Sequence, residues 1–99
     1  MATLYVSEYA QVPYGAGQPI MTGVEPATAE QTVSISGTSA ASSAFSPRTT
    51  FVRVHTDAIC SILFGSSPTA VTTAKRMAAN QTEFFGVIPG HKVAVISNT

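Results

Sequence analysis

A chain of 99 residues makes a single domain, expected to span 1–99, that buries roughly 60–65% of the surface its unfolded form exposes. Charged residues are only 10% of it, against a usual value of about 25%, and the formal net charge is zero. Without a basic stripe to neutralise phosphates, direct nucleic-acid binding is not expected; without an apolar run near the roughly 20 residues of a span, neither is a membrane helix.

The first expected element runs from Ala2 to Tyr9. Leu4 and Val6 alternate with Tyr5, Ser7 and Tyr9, a period of two that marks a strand, and its place at 1–10 suggests an edge strand. Residues 11–31 differ. Pro13, Pro19 and Pro26 are interleaved with Gly15, Gly17 and Gly23, and proline removes amide donors while glycine weakens extended pairing. The expectation is an extended Pro/Gly-rich stretch, either a surface loop or an arm that lies across a neighbouring subunit. Val12, Tyr14, Ile20, Met21 and Val24 favour the arm, because solvated linkers lack such residues.

The β core is expected over 32–99. Thr32–Ser36 alternates Val33 and Ile35 with hydroxyls and reads as a strand with one polar face. Gly37–Ser43 reads as turns, and Ala44–Ser46 as a short strand; a helix over 39–45 competes poorly with the serines around it. Thr50–Thr56 sets Val52 and Val54 against Phe51, Arg53 and His55. Ile59–Phe64 is nearly all apolar, so both its faces are expected to be covered. Ala70–Thr73 reads as a strand, or Ala74–Ala79 as one helical turn. Thr82–Ile88 and Lys92–Ser97 close the sheet around the turn pair Pro89-Gly90. Turn signals every eight to twelve residues point to an all-β fold, a small antiparallel β-sandwich or jelly-roll-like barrel. Its edges need cover, which pairing between subunits would supply.

Candidate chemistry is sparse. Cys60, the one cysteine, allows no intrachain disulfide and sits between Ile59 and Ile62 as a small core hydrophobe does. His55 and His91 share no ligand spacing with it, so no metal site is expected. Asp57, His55 and any serine make a triad on paper, but the strained Gly-x-Ser-x-Gly turn is missing. Glu8, Glu25, Glu30, Asp57 and Glu83 are dispersed. The expectation is no catalytic residue, no metal and no cofactor. Tyr5, Tyr9 and Tyr14 are expected to be exposed, as interface anchors or as a sugar-stacking platform. With the apolar residues of the arm they give the expected interface: Tyr5, Tyr9, Val12, Tyr14, Ile20, Met21 and Val24. The opening Met-Ala-Thr-Leu-Tyr lacks the features of a signal peptide, so synthesis in a reducing cytoplasm is expected.

Phe51-Val-Arg-Val, Asp57-Ala-Ile-Cys, Phe64-Gly, Pro68-Thr-Ala, Ala79-Asn, Glu83-Phe-Phe-Gly-Val and Pro89-Gly-His-Lys-Val-Ala-Val-Ile, in that order over 45–97, resemble small proteins encoded among the structural genes of tailed bacteriophages and prophages. The resemblance implies a non-enzymatic virion protein, a capsid decoration or cement protein that is a homo-oligomer (dimer or trimer) and binds the major capsid protein or other virion proteins. It also implies a location in the virion after synthesis in the host bacterium. A neck, tail or fibre-attachment module is the alternative within the virion. A carbohydrate-binding β-sandwich module is the alternative outside it.

Overall fold

A computed structural model describes residues 2–98 apart from 13, 16, 20 and 21. Among the described residues ten strands follow one another: β1 (Thr3–Tyr9), β2 (Tyr14–Gly15), β3 (Gln18–Pro19), β4 (Ala29–Ser34), β5 (Ala40–Ala41), β6 (Phe51–Thr56), β7 (Cys60–Gly65), β8 (Lys75–Met77), β9 (Thr82–Gly86) and β10 (Lys92–Ser97). There is no helix among the described residues. One four-stranded sheet has the order β4-β1-β6-β9 and the other β5-β10-β7-β8; β2 and β3 form a small hairpin. Every pairing is antiparallel.

The two sheets share one core, which makes the fold β-sandwich-like. Leu4, Val6, Val33, Val52 and Val54 from the first sheet meet Cys60, Ile62, Met77, Val93 and Val95 from the second, with Ile35 and Phe45 from connecting segments. These are the period-two positions of each strand, whose β-branched side chains fit a pleated, half-buried surface. Phe64 of β7 and Phe85 of β9 bridge the sheets with ring centroids 5.2 Å apart.

The pairings are nested. β7 pairs with β8, β6 with β9, and β5 with β10, and the successive pairs alternate between the two sheets. The next pair outward is β4 with β1, so the N-terminal strand takes the place that a strand after β10 would fill. β1 therefore lies inside its sheet, between β4 and β6, and is not the edge strand expected from its position in the chain.

Other boundaries moved as well. The strand expected at Thr32–Ser36 is β4, Ala29–Ser34, so residues 29–31 of the supposed arm belong to a sheet. The short strand is Ala40–Ala41 rather than Ala44–Ser46. Near Ala70–Ala79 the strand is Lys75–Met77, neither of the two segments expected. The Pro89-Gly90 turn is as read: His91 N–H donates to Ile88 C=O at 3.1 Å, and Gly90 takes φ +86°, the left-handed value that a type II turn demands of its third residue.

The outer face of the second sheet is covered by its own chain. Asn98 Nδ2 donates to Ser61 Oγ (2.7 Å) and to Thr72 C=O (3.0 Å), and Ala70 N–H donates to Ser39 Oγ at 2.8 Å. The β7–β8 connection thus lies over Ser61 and Ala94, which are fully buried. The two-sided burial expected for Ile59–Phe64 holds for its first half; Leu63 is 40% exposed.

Candidate interaction surface

The outer face of the first sheet is the more open one, and register fixes what it presents. Thr32, Tyr5, His55 and Thr82 stand side by side in one row; Glu30, Ser7, Arg53 and Phe84 form the next; Tyr9, Phe51 and Gly86 form the third. Tyr5 is 44% exposed and tilts towards His55, ring centroids 6.2 Å apart. His55 Nδ1 shares a 2.7 Å hydrogen bond with Thr82 Oγ1, and its Nε2 lies 4.0 Å from Asp57 Oδ1. A shallow groove runs between Tyr5 and Ser7 on β1 and Glu30 and Thr32 on β4.

Tyr9 corrects the sequence reading. Its side chain has the outward phase of Tyr5, yet it is only 4% exposed. Its ring stacks on Phe51, centroids 5.5 Å apart, and Gly23 lies so close above it that a Cβ there would collide with the ring. Tyr9 Oη donates to Glu25 Oε2 at 2.6 Å, and Val24 N–H donates to Gln11 C=O at 3.2 Å. Burial pushes the Tyr9 phenol above its ordinary value, helped by the hydrogen bond and charge of Glu25 and opposed by Arg53. Tyr9 is therefore a latch for the segment 22–25, and cannot serve as an exposed anchor.

The other expected interface residues separate. Tyr14, on β2, is 72% exposed. Val12 and Val24 are half-buried. Ile20 and Met21 lie outside the described residues. Val12 lines an apolar recess of about 160 Å³ with Thr22, Phe51, Phe84, Phe85 and Gly86.

A buried carboxylate was missed. Glu8 is 2% exposed because it shares the inward phase of Leu4 and Val6. Its Oε1 accepts from Ser46 N–H (2.9 Å) and Thr49 Oγ1 (2.7 Å), and its Oε2 from Gln31 Nε2 (3.2 Å). Gln31 in turn exchanges bonds with the Ser43 backbone, donating to its C=O and accepting from its N–H. A buried charge survives when its lone pairs are filled, and here they tie β1, β4 and the β5–β6 connection together. The readable signal was a charged residue on the core phase of a strand.

Cys60 is fully buried and donates to Thr56 Oγ1; burial raises its thiol above the usual range, against a smaller lowering by that bond. Among the described residues, no three His, Cys, Asp or Glu side chains converge as metal ligands. The chain matches no family model, no curated protein and no solved structure.

Proposed function

We propose that this chain is a non-enzymatic structural protein of a bacteriophage virion, a decoration or cement module that binds the head shell as a homo-oligomer. The nested strand pairing carries the reading. Successive hairpin pairs that alternate between two four-stranded sheets are what rolling up one long hairpin produces, and that supports a jelly-roll topology with β1 supplying its last strand. Jelly rolls serve in viral capsids and in lectins; because fold alone does not assign function, the low charge and the resemblance over 45–97 incline the choice to the virion.

Mass spectrometry of density-banded particles, with copy number, tests it. Hundreds of copies per particle place the protein on the head; a dozen or fewer place it at the neck, tail or fibres; absence from particles overturns the reading. The arm is tested by replacing residues 13–22 with a short turn, which Gln11 and Val24, already hydrogen-bonded, can span. A folded variant with weakened particle binding supports an attachment arm, and unchanged binding refutes it.

The saccharide reading keeps one specific support, the Tyr5 ring beside Glu30, Ser7 and Thr32 in the open groove. It loses Tyr9 from the platform. Glycan-dependent quenching of tyrosine fluorescence that is abolished by Tyr5→Ala would favour it; no response across a glycan panel would remove it.

A further inference from the structure

Charge is divided between the two sheets. The five cationic and five acidic side chains all fall among the described residues. The second sheet carries Lys75, Arg76 and Lys92 and no carboxylate. The carboxylates keep to the first sheet and the segments against it: Glu8, Glu30 and Glu83 on its strands, Glu25 on Tyr9 and Asp57 beside His55. Two cations accompany them, Arg53 in the row of Glu30 and Arg48 beside Glu25. Glu8 and Glu83 have the inward phase, as does Lys75, which stands over the Phe85 ring. The outer face of the first sheet therefore presents Glu25, Glu30 and Asp57 with Arg53. That of the second presents Arg76 and Lys92.

The outward charges follow matching diagonals. Glu30 and Arg53 flank Ser7 in one row. Asp57 N–H donates to Thr3 C=O, so Asp57 continues the register of β6, four residues along from Arg53. Glu30 and Asp57 are thus two strands and four residues apart, with Tyr5 midway. On the second sheet Lys92 pairs with Gly65, Ala94 with Leu63, and Ser61 with both Ile96 and Arg76. Lys92 and Arg76 are likewise two strands and four residues apart, with Leu63 midway. At about 4.8 Å between strands and about 3.3 Å per residue, each diagonal is ~16 Å long. Their centres are the exposed Tyr5 and Leu63. Val71, exposed on the β7–β8 connection, adds an apolar ridge to the basic face, and the groove between Tyr5, Ser7, Glu30 and Thr32 gives the acidic face a place to receive it.

We propose that the outer face of the second sheet docks on the outer face of the first sheet of a second copy of this chain. Leu63 packs on the Tyr5 ring of the neighbouring copy, and Lys92 and Arg76 meet its Glu30 and Asp57, one at each end of the diagonal. The charge pattern names the occupant. Like faces would set acid against acid or cation against cation, whereas unlike faces complement one another. Arg53 offsets one of the three outward carboxylates on the acidic face, and no carboxylate offsets the two cations on the basic one. The two surfaces lie on opposite sides of the sandwich, so the contact is heterologous and stacks copies face to back. Exposed ion pairs contribute little each, which keeps such stacks short in dilute solution. The contact gives the proposed homo-oligomer its two surfaces and to that extent rests on that reading. It is measured on the pure chain without particles, so its failure and absence from virions are separate results.

The test is sedimentation equilibrium on the purified full chain and two charge-reversed variants. In low salt the weight-average mass of the native chain should rise with concentration and pass the dimer value, and salt at about 0.5 M should suppress the rise. Arg76→Glu with Lys92→Glu makes both outer faces acidic, and Glu30→Lys with Asp57→Lys makes both basic. Each variant should keep the native melting temperature within a few degrees and lose about tenfold or more in self-association. An equal mixture of the two should recover it, because every face then meets its complement. Leu63→Ser should weaken association with all charges in place. Single reversals, Arg76→Glu and Glu30→Lys, serve if a double variant unfolds. A native chain that stays monomeric up to about 1 mM overturns the proposal. So does association that stops at a dimer, that persists in either variant, or that the mixture fails to restore.

Discussion

Removing the Glu8 carboxylate should cost more than any other substitution of a charged residue in this chain. Glu8→Ala deletes three hydrogen bonds to an ionised acceptor, each contributing about 1.5–3 kcal/mol. The loss is partly offset, because the desolvation cost of the charge disappears with it. Thr49 Oγ1 keeps a 3.3 Å contact with Thr28 Oγ1, and Gln31 keeps Ser43, but the Ser46 amide is left without that acceptor. The net loss is on the order of 3–5 kcal/mol, a large share of the roughly 5–15 kcal/mol that holds a domain together. At about 4–8 °C per kcal/mol the melting temperature falls by roughly 12–40 °C. Glu8→Gln tests the geometry. Its amide oxygen can still accept from Ser46 and Thr49, but its NH₂ faces the NH₂ of Gln31, and flipping Gln31 would break its bonds to Ser43; the cost is about 1–2 kcal/mol. Urea unfolding followed by far-ultraviolet circular dichroism, with Glu30→Ala on the outer face as a control within about 0.5 kcal/mol, measures all three. If Glu8→Ala matched Glu30→Ala, the network would be a crystallisation of side chains around an already stable joint, and the argument for Glu8 as its anchor would fail.

Gly23→Ala should push the segment 22–25 off Tyr9 at a cost of about 1–3 kcal/mol, while Gly37→Ala, with open space at its Cβ, should cost far less; equal melting temperatures would refute the close approach. Because the folded Tyr9 phenol is raised, its contribution to stability is complete below the unfolded value near pH 10 and is lost as pH rises through the folded value. Absorbance titration should therefore show a late-ionising phenol that Tyr9→Phe removes; a late component that survives Tyr9→Phe, or no late component at all, would contradict the latch. Cys60 should react with an aromatic disulfide reagent only as fast as the protein opens, and immediate native-state labelling would show that the thiol is not sealed in the core.

Strand faces were legible because alternation needs only one strand at a time: Leu4 and Val6, Val52 and Val54, and Val93 and Val95 all face inward as their spacing says. Neighbours were not, since period two carries no information about which strand lies alongside. Hence β1 was placed at an edge, although β4 and β6 flank it. Tyr9 failed for a related reason. Its phase correctly pointed it outward, but its cover comes from Gly23, fourteen residues on, and no local pattern announces that a glycine will settle on a ring. Lys75–Met77 has two exposed charged residues followed by the buried Met77, too short a run for periodicity to separate from a loop. Of the candidate surface, Tyr5 and Tyr14 were readable as exposed aromatics. The place of β9 at the end of its sheet was not, because it depends on which strands lie alongside β6.

The nesting of the strand pairs also bears on how the chain finds its fold. A pairing between distant residues forms more slowly the longer the loop it must close. Yet once β7 and β8 have joined, β6 and β9 are brought near each other, and then β5 and β10. Each closure shortens the next, so most of the molecule can assemble as a zipper from residues 60–77 outward. β1 stands apart from that progression, slotting between β4 and β6 after both are in place. High φ-values in β7 and β8 with low ones in β1 would register this order, and the reverse pattern would show that the N-terminal strand is part of the nucleus.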